Sequence, residues 1–144
     1  ISALTGVPIR QNLAMTGAID QLGHIQAIGG ANEKIEGFFD ACLPRGLTGD
    51  QGVIIPSANA GDLMLRKDVL AACKKGDFHV YAVKTVNEAL EVLTGRTVGE
   101  PDEQGLFPED SLLGLARSKA TEYWSKTMNR PSGVLEDRSD ASDS

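Results

Sequence analysis

Strand-like and helix-like hydrophobic periods alternate along residues 11–95, and that order restricts the chain to an α/β layout. Gln11–Ile19 reads as a strand, with Leu13, Met15 and Gly17 alternating against Ala14, Thr16 and Ala18. Asp20–Gly23 is a turn and His24–Ile28 a second short strand, so the two predict a β-hairpin. The glycine pair Gly29-Gly30 leads into a helix over about Ala31–Leu43, where Ile35, Phe38, Phe39 and Cys42 recur at helical spacing and make one buried face. Pro44 and Gly46 end it. GVIIP, Gly52–Pro56, is apolar at almost every position and suits a buried strand. Ser57–Met64 reads as a loop with a helical turn. Arg66–Gly76 predicts a short helix with Asp68 near its start and Gly76 at its stop. Phe78–Val83 is a further strand. Thr85–Gly95 is a helix opened by a capping box of Thr85 and Glu88, with Val86, Ala89, Leu90 and Leu93 inward and Gly95 closing it.

The character changes after about Val98. The stretch VGEPDEQGLFPEDS is rich in proline, glycine and acids and reads as a linker. Leu112–Met128 predicts one more helix, with Leu112, Leu115, Ala116 and Tyr123 on one side and Tyr123 and Trp124 packing it. The last sixteen residues are polar and read as a disordered acidic tail, with Glu136, Asp137, Asp140 and Asp143 a solvated charge run. The expected division is therefore 1–98 as a domain and 99–144 as linker, helix and tail. At the other end, ISALTGVP reads as the last turn of a helix closed by Gly6 and Pro8. The expectation is that the chain is a fragment beginning inside a structural element.

A chain of 144 residues, 41% hydrophobic and 24% charged, can bury a core of its own. Its net charge of -6 without a basic stripe argues against nucleic-acid partners. Cys42 and Cys73 sit in apolar helical patterns and read as buried reduced thiols, which fits a reducing, cytoplasmic setting. The sequence has no apolar run of about 18 residues, so no membrane span is expected, and its opening does not read as a signal peptide. His24 and His79 lie in strand patterns without the converging partners that a metal site needs, so no metal is expected.

Lys34 stands out. It occupies the first turn of an acidic, amphipathic helix, where the helix end already carries partial positive charge. On a helical wheel at about 100° per residue, the stripe of Ile35, Phe38, Phe39 and Cys42 points roughly 100° from Lys34, which therefore flanks that stripe. Desolvation at such a border and the helix dipole both disfavour an ammonium, and a neutral amine can act as a general base toward a hydroxyl. Glu33 and Glu36 oppose this unless they face solvent, and the wheel turns Glu33 away. An ordinary surface lysine fits the same pattern at a cost of a few tenths of a kcal/mol up to about one. The glycines need do no more than permit a tight strand-to-helix turn.

The stretch MTGAIDQLGHIQAIGGANEKIEGFF resembles the proteolytic domain of Lon-type ATP-dependent proteases. Met15-Thr16-Gly17-Ala18-Ile19 matches that family's MTGxI strand, and Gly23 to Gly30 matches its hairpin arm ending in Ile-Gly-Gly. Gly29 to Lys34 matches its GGxxxK helix start. Ile55, Pro56, Asn59, Asp62 and Leu63 match its IP-x-x-N-x-x-(D/E)-L loop, and Phe78–Leu93 its last strand and helix. The NEKIEGFF variant is most similar to a bacterial Lon-related subgroup. The resemblance implies an α/β (α+β) fold with a β-hairpin, a small mixed sheet and flanking helices. It implies a Ser-Lys dyad in which Lys34 is the general base and Thr16 orients its amine.

The nucleophilic serine of that pattern, in a GDSA-like or GPSA-like context, falls before Ile1. Ser2 stands too close to Lys34 and lacks the context. The resemblance further implies an upstream AAA+ ATPase using ATP and magnesium, a homo-hexameric ring, and unfolded proteins or peptides as substrates. The chain itself has no Walker motif, so no cofactor is expected in it. The fragment alone is expected to be inactive. The alternative is a non-catalytic assembly or peptide-binding module of the same fold.

Overall fold

The computed structural model describes residues 1–128; the tail, with its four acids, lies outside the described residues. The described chain runs α1 (Ser2–Thr5), β1 (Leu13–Met15), β2 (Ala18–Ile19), β3 (Ile25–Gln26), α2 (Ala31–Cys42), β4 (Gly52–Pro56), α3 (Lys67–Lys75), β5 (His79–Val83), α4 (Val86–Thr94) and α5 (Leu112–Met128). A 3₁₀ turn extends α2 over Leu43–Arg45, and another follows β4 over Ser57–Asp62.

The sheet has three parallel strands in the order β1-β4-β5. Ala14 pairs with Val53, and Ile54 pairs with Tyr81. Each crossover is helical: α2 joins β1 to β4 after the hairpin, and α3 joins β4 to β5. The central strand is buried along its whole length because both of its faces are covered. Val53 and Ile55 face Ile35 and Phe39 of α2, Val69 and Ala72 of α3, and Phe78. Ile54 faces the opposite cluster of Ile25, Val83 and Ala89. Full burial of such side chains stabilises by roughly 1.5–3 kcal/mol each, so this strand anchors the fold. Phe78 meets Phe39 edge-on with ring centroids 5.2 Å apart, which locks α2 against the chain leading into β5.

Local signals set most boundaries. Gly6, Gly76 and Gly95 close α1, α3 and α4 in the left-handed region. The capping box of α4 forms with a shift. Thr85 Oγ1 accepts the Glu88 N–H at 3.3 Å, but Glu88 Oε2 accepts the N–H of Lys84 at 2.7 Å, one residue before the cap.

Two expectations need correction. The continuous strand over Gln11–Ile19 is two strands in different sheets. β1 ends at Met15, while β2 pairs antiparallel with β3, Ala18 opposite Gln26 and Ile19 opposite Ile25. Between them a Cβ on Gly17 would stand 3.0 Å from Ile25 Cγ2 and 3.6 Å from Pro56, so a side chain where the chain changes direction would press on Ile25. The hairpin itself is present.

The second correction concerns α5. Its first turns are seated: Leu112 is fully buried with Val7 and Val98, and the N–H groups of Leu112 and Leu113 donate to the carbonyls of Thr97 and Val98, each at 3.0 Å. Tyr123 and Trp124 do not pack the helix. They are 54% and 64% exposed, because the apolar surface of Val7 and Val98 ends under the first turns. Cys42 and Cys73 are free and half-buried, and burial raises both thiols above the ordinary range. Among the described residues no helix is long and apolar enough to cross a membrane.

Candidate active site

Parallel strands put all their carboxyl ends on one edge of a sheet, and in open α/β sheets that edge is where sites are built. Thr16 follows directly on β1 at this edge, and its N–H donates to the Ile54 carbonyl of β4 at 3.0 Å. The threonine is thereby fixed to the central strand, and it is half-buried. The 3₁₀ turn Ser57–Asp62 continues β4 on the same edge.

Since α2 runs back from this edge to the start of β4, its N-terminus lies there too. The glycine pair makes the entry. Gly30 adopts φ 69°, left-handed, and its carbonyl accepts the Lys34 N–H at 3.1 Å in the first helical turn. Ala31 and Ile35 are buried and seat this end of the helix on the core. The expected stripe is found: Ile35 and Phe39 are buried, and Phe38 packs against them half-buried.

Lys34 itself is exposed, as is Glu33. The desolvated border expected from the wheel is therefore absent around this side chain within residues 1–128. A wheel gives the direction of a side chain, whereas burial depends on what other chain covers it. Among the described residues no hydrogen bond joins Lys34 to Thr16 and no carboxylate pairs with Lys34. Glu36 does not approach the lysine as a counter-charge, because its Oε1 accepts the Arg66 N–H at 2.8 Å. The topology thus brings Thr16 and the Lys34 helix start to one edge without joining their side chains. Ser2 belongs to a different contact: its Oγ donates to the Val7 carbonyl at 2.7 Å.

Sequence reasoning missed how this edge is fastened. Asn59 Oδ1 accepts the Ile28 N–H at 3.0 Å, and Asn59 Nδ2 donates to the Ile28 carbonyl at 2.9 Å. Asn32 Oδ1 accepts the Met64 N–H at 2.9 Å. Arg66 donates from Nη1 and Nη2 to both carboxylate oxygens of Asp40, at 2.9 and 2.6 Å, and also binds Asp68. These Arg66 bonds hold both carboxyls below the ordinary carboxylate range. Asn32, Glu36 and Asp40 recur every fourth residue, so one face of α2 is laced to the loop after β4. That i, i+4 run of polar acceptors was the available signal, although a solvated face gives the same pattern.

The two histidines have local partners. His24 Nδ1 lies 3.0 Å from Asp20 Oδ2, and His79 Nε2 lies 2.8 Å from the Gly49 carbonyl. Among the described residues no three His, Cys, Asp or Glu side chains converge to hold a metal.

Comparison with known proteins gives this arrangement a context. The family model of the Lon protease (S16) C-terminal proteolytic domain matches residues 1–95. A Lon protease homolog of Haemophilus influenzae is 41% identical over 132 residues, which cover 86% of this chain and 22% of that protein. A Lon protease homolog of Escherichia coli is 52% identical over 93 residues, 65% of this chain and 16% of its own length. An archaeal Lon protease of Thermococcus kodakarensis is 40% identical over 92 residues, 64% of this chain and 13% of its own. The chain therefore spans about a fifth or less of the curated relatives it matches.

Proposed function

Because the chain belongs to the Lon protease C-terminal proteolytic domain family, we propose that it carries the lysine half of a Ser-Lys peptidase site in a longer protein. Lys34 is the general base, Thr16 orients its amine, and the nucleophilic serine comes from chain preceding Ile1. The observation that carries the reading is the shared edge. Thr16, just after β1, is fixed to Ile54 of β4, and Ile28, just before the Gly29-Gly30 helix start, is held by Asn59 of the turn that follows β4.

The chemistry follows from that placement. The serine hydroxyl attacks the peptide carbonyl carbon, and the neutral Lys34 amine takes its proton. The C–N bond breaks as the resulting ammonium returns a proton to the leaving amine. Water then attacks the acyl-serine ester with the same amine as base, releasing the second product. Backbone N–H groups beside the serine receive the developing oxyanion. Lys34 is exposed in residues 1–128, so the desolvation that favours a neutral amine comes from the segment bearing the serine and from bound substrate. Substrates are unfolded protein segments, delivered by an upstream ATPase that uses ATP and magnesium, to sites enclosed in a homo-hexamer in the cytoplasm. The 144-residue chain by itself is inactive, since it lacks the nucleophile.

The test uses the full-length protein. Lys34→Ala abolishes cleavage of an unfolded protein such as casein and leaves the far-ultraviolet circular dichroism unchanged. Normal cleavage by that variant refutes the dyad. A full-length wild-type protein that cleaves nothing, and has no serine in the expected context before Ile1, establishes the non-catalytic module instead.

A further inference from the structure

Lys34 stands on a helix whose first turns are seated by Ala31 and Ile35 but which is entered through two glycines that pack against almost nothing. A Cβ on Gly29 would touch nothing within 4 Å, and one on Gly30 would meet only a Glu33 carboxylate oxygen at 3.5 Å. Neither glycine has a side chain to pack, and glycine accepts a wide range of backbone angles. The direction in which α2 leaves the hairpin must therefore be fixed from outside the pair.

Asn59 supplies that restraint from one side. Its carboxamide binds both main-chain groups of Ile28, the N–H at 3.0 Å and the carbonyl at 2.9 Å, across 31 positions of sequence. Both bonds are partly buried, where losing a partner costs more than in open water. An amide that engages both groups of one residue replaces a neighbouring strand. It does so two residues after β3 has ended at Gln26 and two before Gly30 begins the helix. The next links continue the clasp: Asn32 binds the Met64 N–H and Glu36 the Arg66 N–H, so the loop that carries Asn59 follows the first two turns of α2. That loop grows from β4, the strand to which Thr16 is also bonded.

We propose that Asn59 is a positioning residue for Lys34. Through Ile28 it fixes the direction in which α2 leaves the glycine pair, and so the place of the lysine amine relative to Thr16 and the incoming hydroxyl. The proposal rests on the role given to Lys34 above. It assigns no contact between Asn59 and substrate.

The experiment compares three variants of the full-length protein: Asn59→Leu, which keeps the size and loses both bonds; Asn59→Asp, which keeps the acceptor for the Ile28 N–H; and Lys34→Ala. With a fluorogenic peptide, Asn59→Leu is expected to lose about 10- to 100-fold in kcat, the penalty of roughly an ångström of misplacement. KM is expected to stay within about twofold, because the role given to Asn59 involves no contact with substrate. Asn59→Asp is expected to fall between Asn59→Leu and wild type, and hydrogen exchange at the Ile28 amide is expected to quicken in Asn59→Leu. A folded Asn59→Leu with wild-type kcat, beside an inactive Lys34→Ala, overturns the role of Asn59 and leaves the dyad standing. Full activity of Lys34→Ala refutes the dyad, and the positioning role with it. If Asn59→Leu does not fold, Asn59→Asp decides: unchanged kcat, or failure of that variant to fold as well, reduces Asn59 to a structural residue and overturns the proposal.

Discussion

Two helical glycines give opposite predictions for the same substitution. In an unobstructed helix interior, Gly→Ala stabilises by up to about 1 kcal/mol. Gly37 in α2 is exposed and a Cβ there meets nothing within 4 Å, so Gly37→Ala is expected to gain most of that. Gly114 in α5 is buried, and its Cβ would overlap the Pro108 carbonyl oxygen and lie 2.9 Å from the carbonyl carbon. Relief requires the backbone at Pro108 to move. That carbonyl accepts the Ser111 N–H at 3.0 Å and the Ser111 Oγ–H at 2.6 Å, and Ser111 Oγ in turn accepts the Gly114 N–H at 3.1 Å. Overpacking costs about 1–3 kcal/mol and each hydrogen bond put at risk about 0.5–1.5 kcal/mol. Against a propensity gain of about 1 kcal/mol, Gly114→Ala should destabilise by roughly 1–4 kcal/mol. Urea unfolding of both variants gives the two signs, and hydrogen exchange at the Leu112 and Leu113 amides, which bond to Thr97 and Val98, shows whether the loss is local. A Gly114→Ala protein as stable as Gly37→Ala would mean that the chain before α5 is not seated on that helix.

Two further outcomes follow from the same contacts. Phe78→Ala empties a fully buried site that Phe38 and Phe39 both face, and should cost about 3–5 kcal/mol in urea unfolding, whereas Phe78→Leu recovers most of it. The Arg66 clamp should be acid-sensitive: Asp40 and Asp68 are held below the ordinary 3.8, so their contribution is complete above that value and is lost as pH falls through the lowered ones. The stability difference between wild type and Arg66→Gln in urea unfolding is expected to shrink only as pH falls below about 4, through the lowered carboxyl values.

Most of the fold was legible because each element carries several redundant local marks. α4 has Thr85 before it, Gly95 after it and Ala89 on its inner side, and any one of these would place it within a turn. The apolar run of β4 likewise announced a covered strand before its neighbours were known. Where local marks continue across a tertiary break, sequence reading fails. The period-2 pattern of Leu13, Met15 and Gly17 runs unbroken through the point where the chain changes sheets, since alternation records which face a residue takes and not which strand it pairs with. The same limit applies to α5. Helical spacing put Tyr123 on the side of Leu112, but only the first turns have Val7 and Val98 beneath them.

The site is harder to read than the fold for a related reason. Its lysine was found by resemblance to a family motif; the helical wheel alone could not separate it from an ordinary surface residue, and its exposure in residues 1–128 agrees with that limit. The chemistry proposed for Lys34 depends on water being displaced by groups outside this stretch, which leave no trace in its own pattern. Asn59 is similar. A side chain that binds one distant main-chain residue by two hydrogen bonds needs no periodicity, no charge partner and no neighbour of a given type. Only the three-dimensional distance between the loop after β4 and the residue before the glycine pair reveals it. If positioning rather than chemistry is its task, substitutions there should change turnover before they change substrate affinity, and residues 28–34 should respond as one unit. Its place in the family's IP-x-x-N motif then has a physical cause: the asparagine stands in the turn after the central strand, where it can hold Ile28 just ahead of the lysine helix.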